Sequence, residues 1–527
     1  MKQRKAVGPG QRLRAELMSE HEADQADPTA EGLIDAAVTG ARWLAAARVA
    51  SDSFQLISSV ALARLIVPAE FGHAAIALIL VPLSAILTFE GFGSALVQRK
   101  QVTVAHIETA TLASLIAGAV LTIVTYFGAP FVAEPIFGAR TAELIQVAAP
   151  LFMLTGISAV SRSLLWRRLE FRVVSLIEMT SLLAGAVLSV VFAIAGLDGE
   201  AIVLGAVCGT TIATVLLFLM ARPARPRWHA AELREILGFG GPASAAGVLH
   251  VAITNADYTI LAARLSATQV GLYWRAFQLG VVYQDKISGV MMRLAFPVYS
   301  RTRDLDQLRH LHERATRVHA AVIVPLLCIG IVVEPTLVPW MFGDAWREAV
   351  LPAQLLSVAG MIAAVLTGFP QVLLAAGRPK ALFRFNVCVL AVYAGTVWFT
   401  APYGIATVAG AVVGVYVLML VAVYAVLFKR VVGIPVGRMV SDLGPAVAGG
   451  LAVLAIGFPL AEVLRSAGAP APVLIALVGI IGLMAHVAVL RTCFPAVWTD
   501  LSGFTRRLVP ARLHPRRWRA VPSTSTS

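Results

Sequence analysis

At 527 residues, 58% hydrophobic and only 14% charged, with a mean hydropathy of +0.79, the chain is too apolar to be a soluble globular protein. A net charge of +13 would suit a nucleic-acid partner, but the basic residues stand in short segments between apolar runs, so they report membrane topology and no nucleic acid is expected. Cys208, Cys328, Cys388 and Cys493 lie singly in those runs without CxxC or Cys/His spacing; they read as small buried packing residues, neither a disulfide framework nor a metal site.

Residues 1–32 are polar, basic at first (Lys2, Arg4, Lys5, Arg12, Arg14) and then acidic. They read as a disordered tail, without the short apolar core and small-residue cleavage site of a signal peptide. Fourteen apolar runs follow, each about the length a helix needs to cross a bilayer. They fall near 39–63, 72–96, 107–131, 142–165, 172–196, 200–221, 236–262, 271–298, 317–340, 349–375, 381–401, 405–428, 440–462 and 472–493. The longer joins are 222–235 and 299–316, and a basic tail fills 494–527. The predicted fold class is therefore all-α and polytopic.

Lys and Arg alternate in density from one connection to the next. With the N-terminus inside, the inner connections hold clusters such as Arg222, Arg225 and Arg227, or Arg378, Lys380 and Arg384. The outer ones hold only Arg64, Arg140, Arg264, Arg347 and Arg465. That bias fits an even number of spans with both termini cytoplasmic. A repeat is also visible at a spacing of about 200 residues. Ala63-Arg64-Leu65 with Gly72 is echoed by Ala263-Arg264-Leu265 with Gly271, and Ile136-Phe137-Gly138 by Met341-Phe342-Gly343. Each copy holds six spans, an even number, so the copies share one orientation and an axis along the membrane normal. The expected organisation is a six-helix lobe over 33–230, a second over 231–430, and two added helices within 431–493.

Ionisable groups cost several kcal/mol at bilayer depth and normally face a polar cavity or one another. In the first span, Arg48, Asp52, Gln55 and Ser59 lie at i, i+4, i+7 and i+11, one stripe at 100° per residue. Two readings stand for it: an internal Arg48–Asp52 pair, or a cavity wall. The repeat-equivalent seventh span carries His250, Thr254, Asn255 and Asp257, with His250, Thr254 and Asp257 on one predicted face. In the eighth, Arg275, Lys286 and Arg293 share a face, with Gln278 and Asp285 beside it. No P-loop, HExxH or nucleophile triad accompanies them, so no enzymatic activity and no cofactor is expected.

The segments LARLIVPAEFGHAAIAL, GFGSALVQRK, LLWRRLEFR, NADYTILAARLSATQVGLYWRAFQL, LAFPVYSRTRDLDQLR, MFGDAWREAVLPAQLLSVAG and VLLAAGRPK occur in order across roughly residues 38–430. In these the chain resembles the WzxC-like polysaccharide-export flippases of the multidrug/oligosaccharidyl-lipid/polysaccharide transporter superfamily. The resemblance implies two six-helix lobes that alternate access, and a polyprenyl-diphosphate-linked oligosaccharide as cargo in a bacterial cytoplasmic membrane. It also implies membrane lipids as surroundings, with a polysaccharide polymerase and glycosyltransferases as pathway partners of a monomeric carrier. Tyr283-Gln284-Asp285-Lys286 departs from the proline-containing, mostly uncharged turn expected there.

An anionic diphosphate needs fixed cations to replace its water. Arg48, Arg275 and Lys286 are the candidates, with Gln55, Asn255 and Gln278 as polar lining. Asp52, Asp257 and Asp285 have two candidate roles, response to H⁺ or Na⁺ and offset of the cations in an empty cavity. A drug or small-metabolite exporter of the same superfamily, or a membrane scaffold without transport, are the alternative functions. The first would favour an acidic, aromatic cavity.

Overall fold

The computed structural model describes residues 51–99, 101–282, 284–289, 305–429 and 436–508. Among them there is no strand, and twelve helices are long and apolar enough to cross a membrane. Ten of them coincide within about five residues with predicted spans; the helix expected at 236–262 runs Ala230–Thr254, and the one expected at 317–340 already starts by Gln307. The other two predicted spans, 39–63 and 271–298, run partly outside the described residues.

The packing separates the chain into two compact units. The first draws on the described residues up to Trp274, with Met341–Trp346 and Tyr393–Ile405. Its helices are α1 (residues 51–65), α2 (Pro68–Ala77), α3 (Val104–Val132), α4 (Ala139–Arg167), α5 (Phe171–Ile194), α6 (Gly199–Met220), α7 (Ala230–Thr254), α8 (Ala256–Arg264) and most of α9 (Ala267–Phe277). The lobe boundary expected at 230/231 is a feature of the repeat, and packing crosses it: α7, α8 and α9 up to Trp274 join this unit.

One contact explains much of that joining. A Cβ built on Gly72 would lie 2.0 Å from the carbonyl oxygen of Ala267, and one on Gly271 would lie 1.9 Å from that of Pro68. The two glycines of the sequence repeat therefore let α2 and α9 cross backbone to backbone, each reading the other's equivalent position. Close approach through small residues is how membrane helices gain packing without a hydrophobic drive between them. Trp346 seals the crossing: it is 1% exposed, donates from Nε1 to Ala63 O at 3.0 Å, and meets Phe71 edge-on at 5.1 Å.

The second repeated motif is a helix stop. Gly138 and Gly343 have φ of 86° and 102°, a left-handed turn that residues with a Cβ rarely adopt. A third equivalence emerges at LLWRRLEFR and VLLAAGRPK. Leu169 (φ 57°) and Gly377 (φ 69°) end their helices with the same pair of backbone bonds, Glu170 N to Leu165 O and Arg378 N to Leu373 O closing the longer loop. Leu169 is the one described non-glycine residue with positive φ, and it is 60% exposed. Leu169→Gly is expected to stabilise the protein by about 1 kcal/mol, because the left-handed penalty is removed and little packing is lost. Thermal unfolding of the purified protein checks this.

The arginines of the predicted outer connections are held by partners. Arg140 pairs with Glu70 (2.9 Å), Glu143 (3.2 Å) and Glu200, Arg64 donates to Met341 O at 2.9 Å, and Arg264 stacks 4.4 Å from the Trp398 ring. At the opposite end of α3, Arg99 and His106 both meet Glu235 of α7.

The second unit takes up Arg275–Trp340, Arg347–Val392 and the described residues from Ala406 onward. It holds α10 (Leu305–Phe342) up to Trp340, α11 (Val350–Leu366), α12 (Phe369–Ala375), α13 (Pro379–Thr400) up to Val392, α14 (Ile405–Ala422) from Ala406, α15 (Val436–Ser466), α16 (Ala471–Cys493) and α17 (Pro495–Leu508). Phe369, Val372, Leu373, Tyr424 and Phe428 form one core of this unit, and Val453, Ala461, Leu474 and Val478 close α15 on α16. Outward-facing apolar side chains such as Phe127 (64% exposed) and Leu451 (60%) are what a lipid-facing surface requires.

Three expectations need correction. The join predicted at 299–316 is helical from residue 305, because α10 runs 38 residues without a break. The tail predicted from 494 begins as α17, whose Val497, Trp498 and Leu501 pack with Ala321 and Leu490 while Arg314 pairs with Asp500 at 2.7 Å. Among the cysteines, only Cys328 is buried; Cys388 and Cys493 are exposed.

Candidate functional site

Arg48 lies outside the described residues. Asp52, Gln55 and Ser59 are half-buried along the continuous helix α1, at the spacing that puts them on one face. Ser58, on another face, fixes α1 to α5 by donating to Ala186 O at 3.0 Å.

The seventh span does not hold the predicted stripe together. The helix is interrupted at Asn255 (φ −123°, ψ 10°), which separates α7 from α8. His250 and Thr254 are exposed on α7, whereas Asp257 is 1% exposed on α8. The physical cause is at the break itself. The Asn255 amide donates to Val251 O (2.8 Å) and to Thr254 Oγ1 (3.1 Å), offering the end of α7 a side-chain partner in place of the continuing helix. The Asp257 carboxylate is likewise occupied: Oδ1 accepts from Tyr258 N at 2.9 Å and Oδ2 from the Tyr393 hydroxyl at 3.1 Å. Asp257 thus fastens α8 to α13 within the first unit. Tyr393→Phe should lower stability by about 1–2 kcal/mol, since it leaves a buried carboxylate oxygen short of its donor; chemical denaturation of wild type and variant measures it.

In the second unit, Arg275 is 1% exposed at the end of α9. Directly after it the chain makes a π-helical turn, Gln278–Val282, and residues 284–289 are helical again. A π turn widens the helix and shifts the following side chains around the axis. The uniform 100° arithmetic that put Arg275 and Lys286 on one face therefore fails across this segment. Gln278 is half-buried within the turn, Lys286 is half-buried and Asp285 is exposed, while Arg293 lies outside the described residues. The turn is held against α11 by a second glycine crossing: a Cβ on Gly360 would lie 2.1 Å from Gly280 O.

A buried polar row escaped the sequence reading. Gln284 donates to Ser288, whose hydroxyl lies 2.8 Å from His319 Nε2. His319 belongs to α10 with His312 and Thr316, all at most 6% exposed and spaced i, i+4, i+7. Further along α10, Glu334 (3% exposed) accepts from Ser357 Oγ of α11 at 3.1 Å. The signal was present in the His312–Thr316–His319 spacing, but those positions fell in or beside the stretch read as a loop.

Taken unit by unit, the membrane helices carry a half-buried polar stripe on α1 in the first unit. The second holds a buried cation, Arg275, beside a deformed helix, and separately a buried row of neutral polar groups, Gln284, Ser288 and His319.

Comparisons with known proteins place the chain in a family. Lipopolysaccharide biosynthesis protein WzxC of Escherichia coli (strain K12) is 28% identical over 356 residues, which is 66% of this chain and 72% of that protein. Teichuronic acid biosynthesis protein TuaB of Bacillus subtilis (strain 168) is 24% identical over 68% of this chain and 74% of its own length. Among solved structures, lipid II flippase MurJ in an inward closed conformation superposes with a TM-score of 0.65 at 14% identity, covering 89% of this chain and 99% of that one, which shows a shared fold. The profile of the family described as "Polysaccharide biosynthesis protein" matches residues 61–351, more than half the sequence. On that match, the chain is a member of the polysaccharide biosynthesis protein family.

Proposed function

We infer that the protein moves a lipid-linked oligosaccharide across a membrane for the assembly of a cell-surface polysaccharide. The observation that carries this reading is the match of residues 61–351 to the polysaccharide biosynthesis protein family, joined by a buried arginine, Arg275, next to a deformed helix. The planar guanidinium fork of an arginine suits the oxygens of a diphosphate. The relatives' own names, from lipopolysaccharide to teichuronic acid biosynthesis, support the cargo class.

The carrier is a polyprenyl diphosphate, the membrane is the bacterial cytoplasmic membrane, and both termini face the cytoplasm, as the distribution of Lys and Arg favours. The repeats over 33–230 and 231–430 act as lobes that alternate access. Arg48, Arg275 and Lys286 meet the diphosphate or first sugars, with Gln55, Asn255 and Gln278 as polar lining. Asp52, Asp257 and Asp285 supply charge balance or a response to H⁺ or Na⁺. The protein works as a monomer alongside the glycosyltransferases and polymerase of its pathway.

The test is to delete the protein and analyse the lipid-linked oligosaccharides of the cell. Accumulation of a complete repeat unit on its lipid, with loss of surface polymer and rescue by the wild-type gene, is the expected result. Unchanged surface polymer and no accumulated intermediate would overturn the reading.

A further inference from the structure

The turn between α12 and α13 forms a cavity of about 440 Å³ lined by Gly377, Arg378, Lys380, Ala381 and Arg384. Arg378, Lys380 and Arg384 are all exposed, and no acidic side chain among the described residues pairs with any of them. Three cations converging without a carboxylate repel one another, so the arrangement gains by taking up an anion.

The turn does not need these charges. Its repeat-equivalent at the end of α4 makes the same backbone bonds with Leu169, Glu170, Arg172 and Leu176 at the positions of Gly377, Arg378, Lys380 and Arg384. An acid and a leucine stand there in place of two of the three cations, so the backbone turn explains none of the basic character of the second copy.

The surroundings specify the anion further. Lys380, Phe383, Arg384 and Val387 share one face of α13 at i, i+3, i+4 and i+7. Phe383 is 59% and Val387 43% exposed, and Leu374 of α12 is 49% exposed. A cationic pocket thus opens onto an apolar strip that runs along the helix. A free inorganic anion would use the first and ignore the second, whereas an amphiphile with a phosphate head uses both. Two arginine forks and a lysine suit phosphate oxygens, and a basic pocket at a helix end is where a lipid headgroup lies.

We propose that Arg378, Lys380 and Arg384 bind the phosphate of a membrane lipid whose hydrocarbon chain runs over Phe383 and Val387. Two lipids present this chemistry, a bilayer phospholipid such as phosphatidylglycerol and the polyprenyl diphosphate of a cargo. Only the second depends on the function proposed above. The test uses the full-length protein in phosphatidylcholine nanodiscs and titrates phosphatidylglycerol and polyprenyl diphosphate separately. Binding to wild type, R378Q/K380Q/R384Q and the control R222Q/R225Q/R227Q is read by native mass spectrometry.

The expected result is at least about ten-fold weaker binding of one or both lipids by R378Q/K380Q/R384Q, with the control unchanged. Which lipid is lost identifies the source. Loss for phosphatidylglycerol alone leaves the site standing even if the transport reading fails. Equal retention of both lipids by wild type and R378Q/K380Q/R384Q overturns the proposal, as does equal weakening by the control. A second variant, F383S/V387S, keeps the charges and removes the strip. It should weaken lipid binding and leave inorganic phosphate binding unmoved; if it leaves lipid binding at the wild-type level, the hydrocarbon path is wrong.

Discussion

Gly271→Ala should destabilise the first unit by about 1–3 kcal/mol, a large effect for one methyl group. The added Cβ would meet Pro68 O at 1.9 Å, Pro68 C at 2.8 Å and Gly72 N at 3.0 Å, all of them backbone atoms that cannot rotate away. The helices α2 and α9 must then separate by more than an ångström, which loosens Trp346 from Ala63 O and from Phe71. Gly72→Ala meets Ala267 O at 2.0 Å and should behave alike. Because both act on one crossing, the double variant should cost clearly less than the sum of the singles: once the helices are apart, the second methyl finds room. Gly128→Ala in α3 is the control. Its Cβ would meet nothing within 4 Å, so it should be neutral or stabilising, as alanine is the better helix former. Unfolding of the four variants measures this, and full additivity of the two crossing substitutions would show that the glycines do not share one contact.

What the sequence made legible follows from how lipid constrains a chain. A helix must stay apolar for about twenty residues to cross, and ten spans could be placed within about five residues for that reason. The repeat was legible because glycines at crossings and at left-handed stops have few substitutes. Gly72 and Gly271, then Gly138 and Gly343, are such positions. The break at Asn255 was not legible, since Thr254-Asn255-Ala256 carries no proline or glycine and the interruption depends on where the Asn255 amide turns. The π turn at Gln278–Val282 was hidden for a related reason. Nothing in its composition departs from an ordinary helix, and the crossing at Gly280 and Gly360 becomes visible only when α11 is in place. Helix α17 was read as tail because fourteen residues with several charges fall short of a span. Its apolar face has meaning only against Ala321 and Leu490. Local pattern marked the spans, while contacts between distant segments decided the faces within them.

Neutralising the cations of the interrupted helix should produce the other large effect, this time on transport. Hydrogen bonds to charged groups are worth about 1.5–3 kcal/mol each, so on the function proposed above each single loss should slow delivery of polymer by about ten- to a hundred-fold. Arg275→Gln and Lys286→Gln test the two separately, with surface polysaccharide and membrane abundance of the protein both measured. The two differ in burial, and that difference separates function from folding. Arg275 is 1% exposed, so its loss should lower both polymer and, in part, protein level, whereas Lys286 is half-buried and its loss should lower polymer alone. Lys286→Arg should restore most of the output, because a charge is kept at a position that can adjust. Arg275→Lys should restore little, because a point charge does not reproduce a planar fork. Asp285→Asn, exposed and adjacent, should leave output near wild type if its role is confined to charge balance. Normal polymer from Lys286→Gln at normal abundance would remove Lys286 from the cargo's path. A loss confined to Lys286→Gln with unchanged abundance would place the anion beside the residues that follow the π turn.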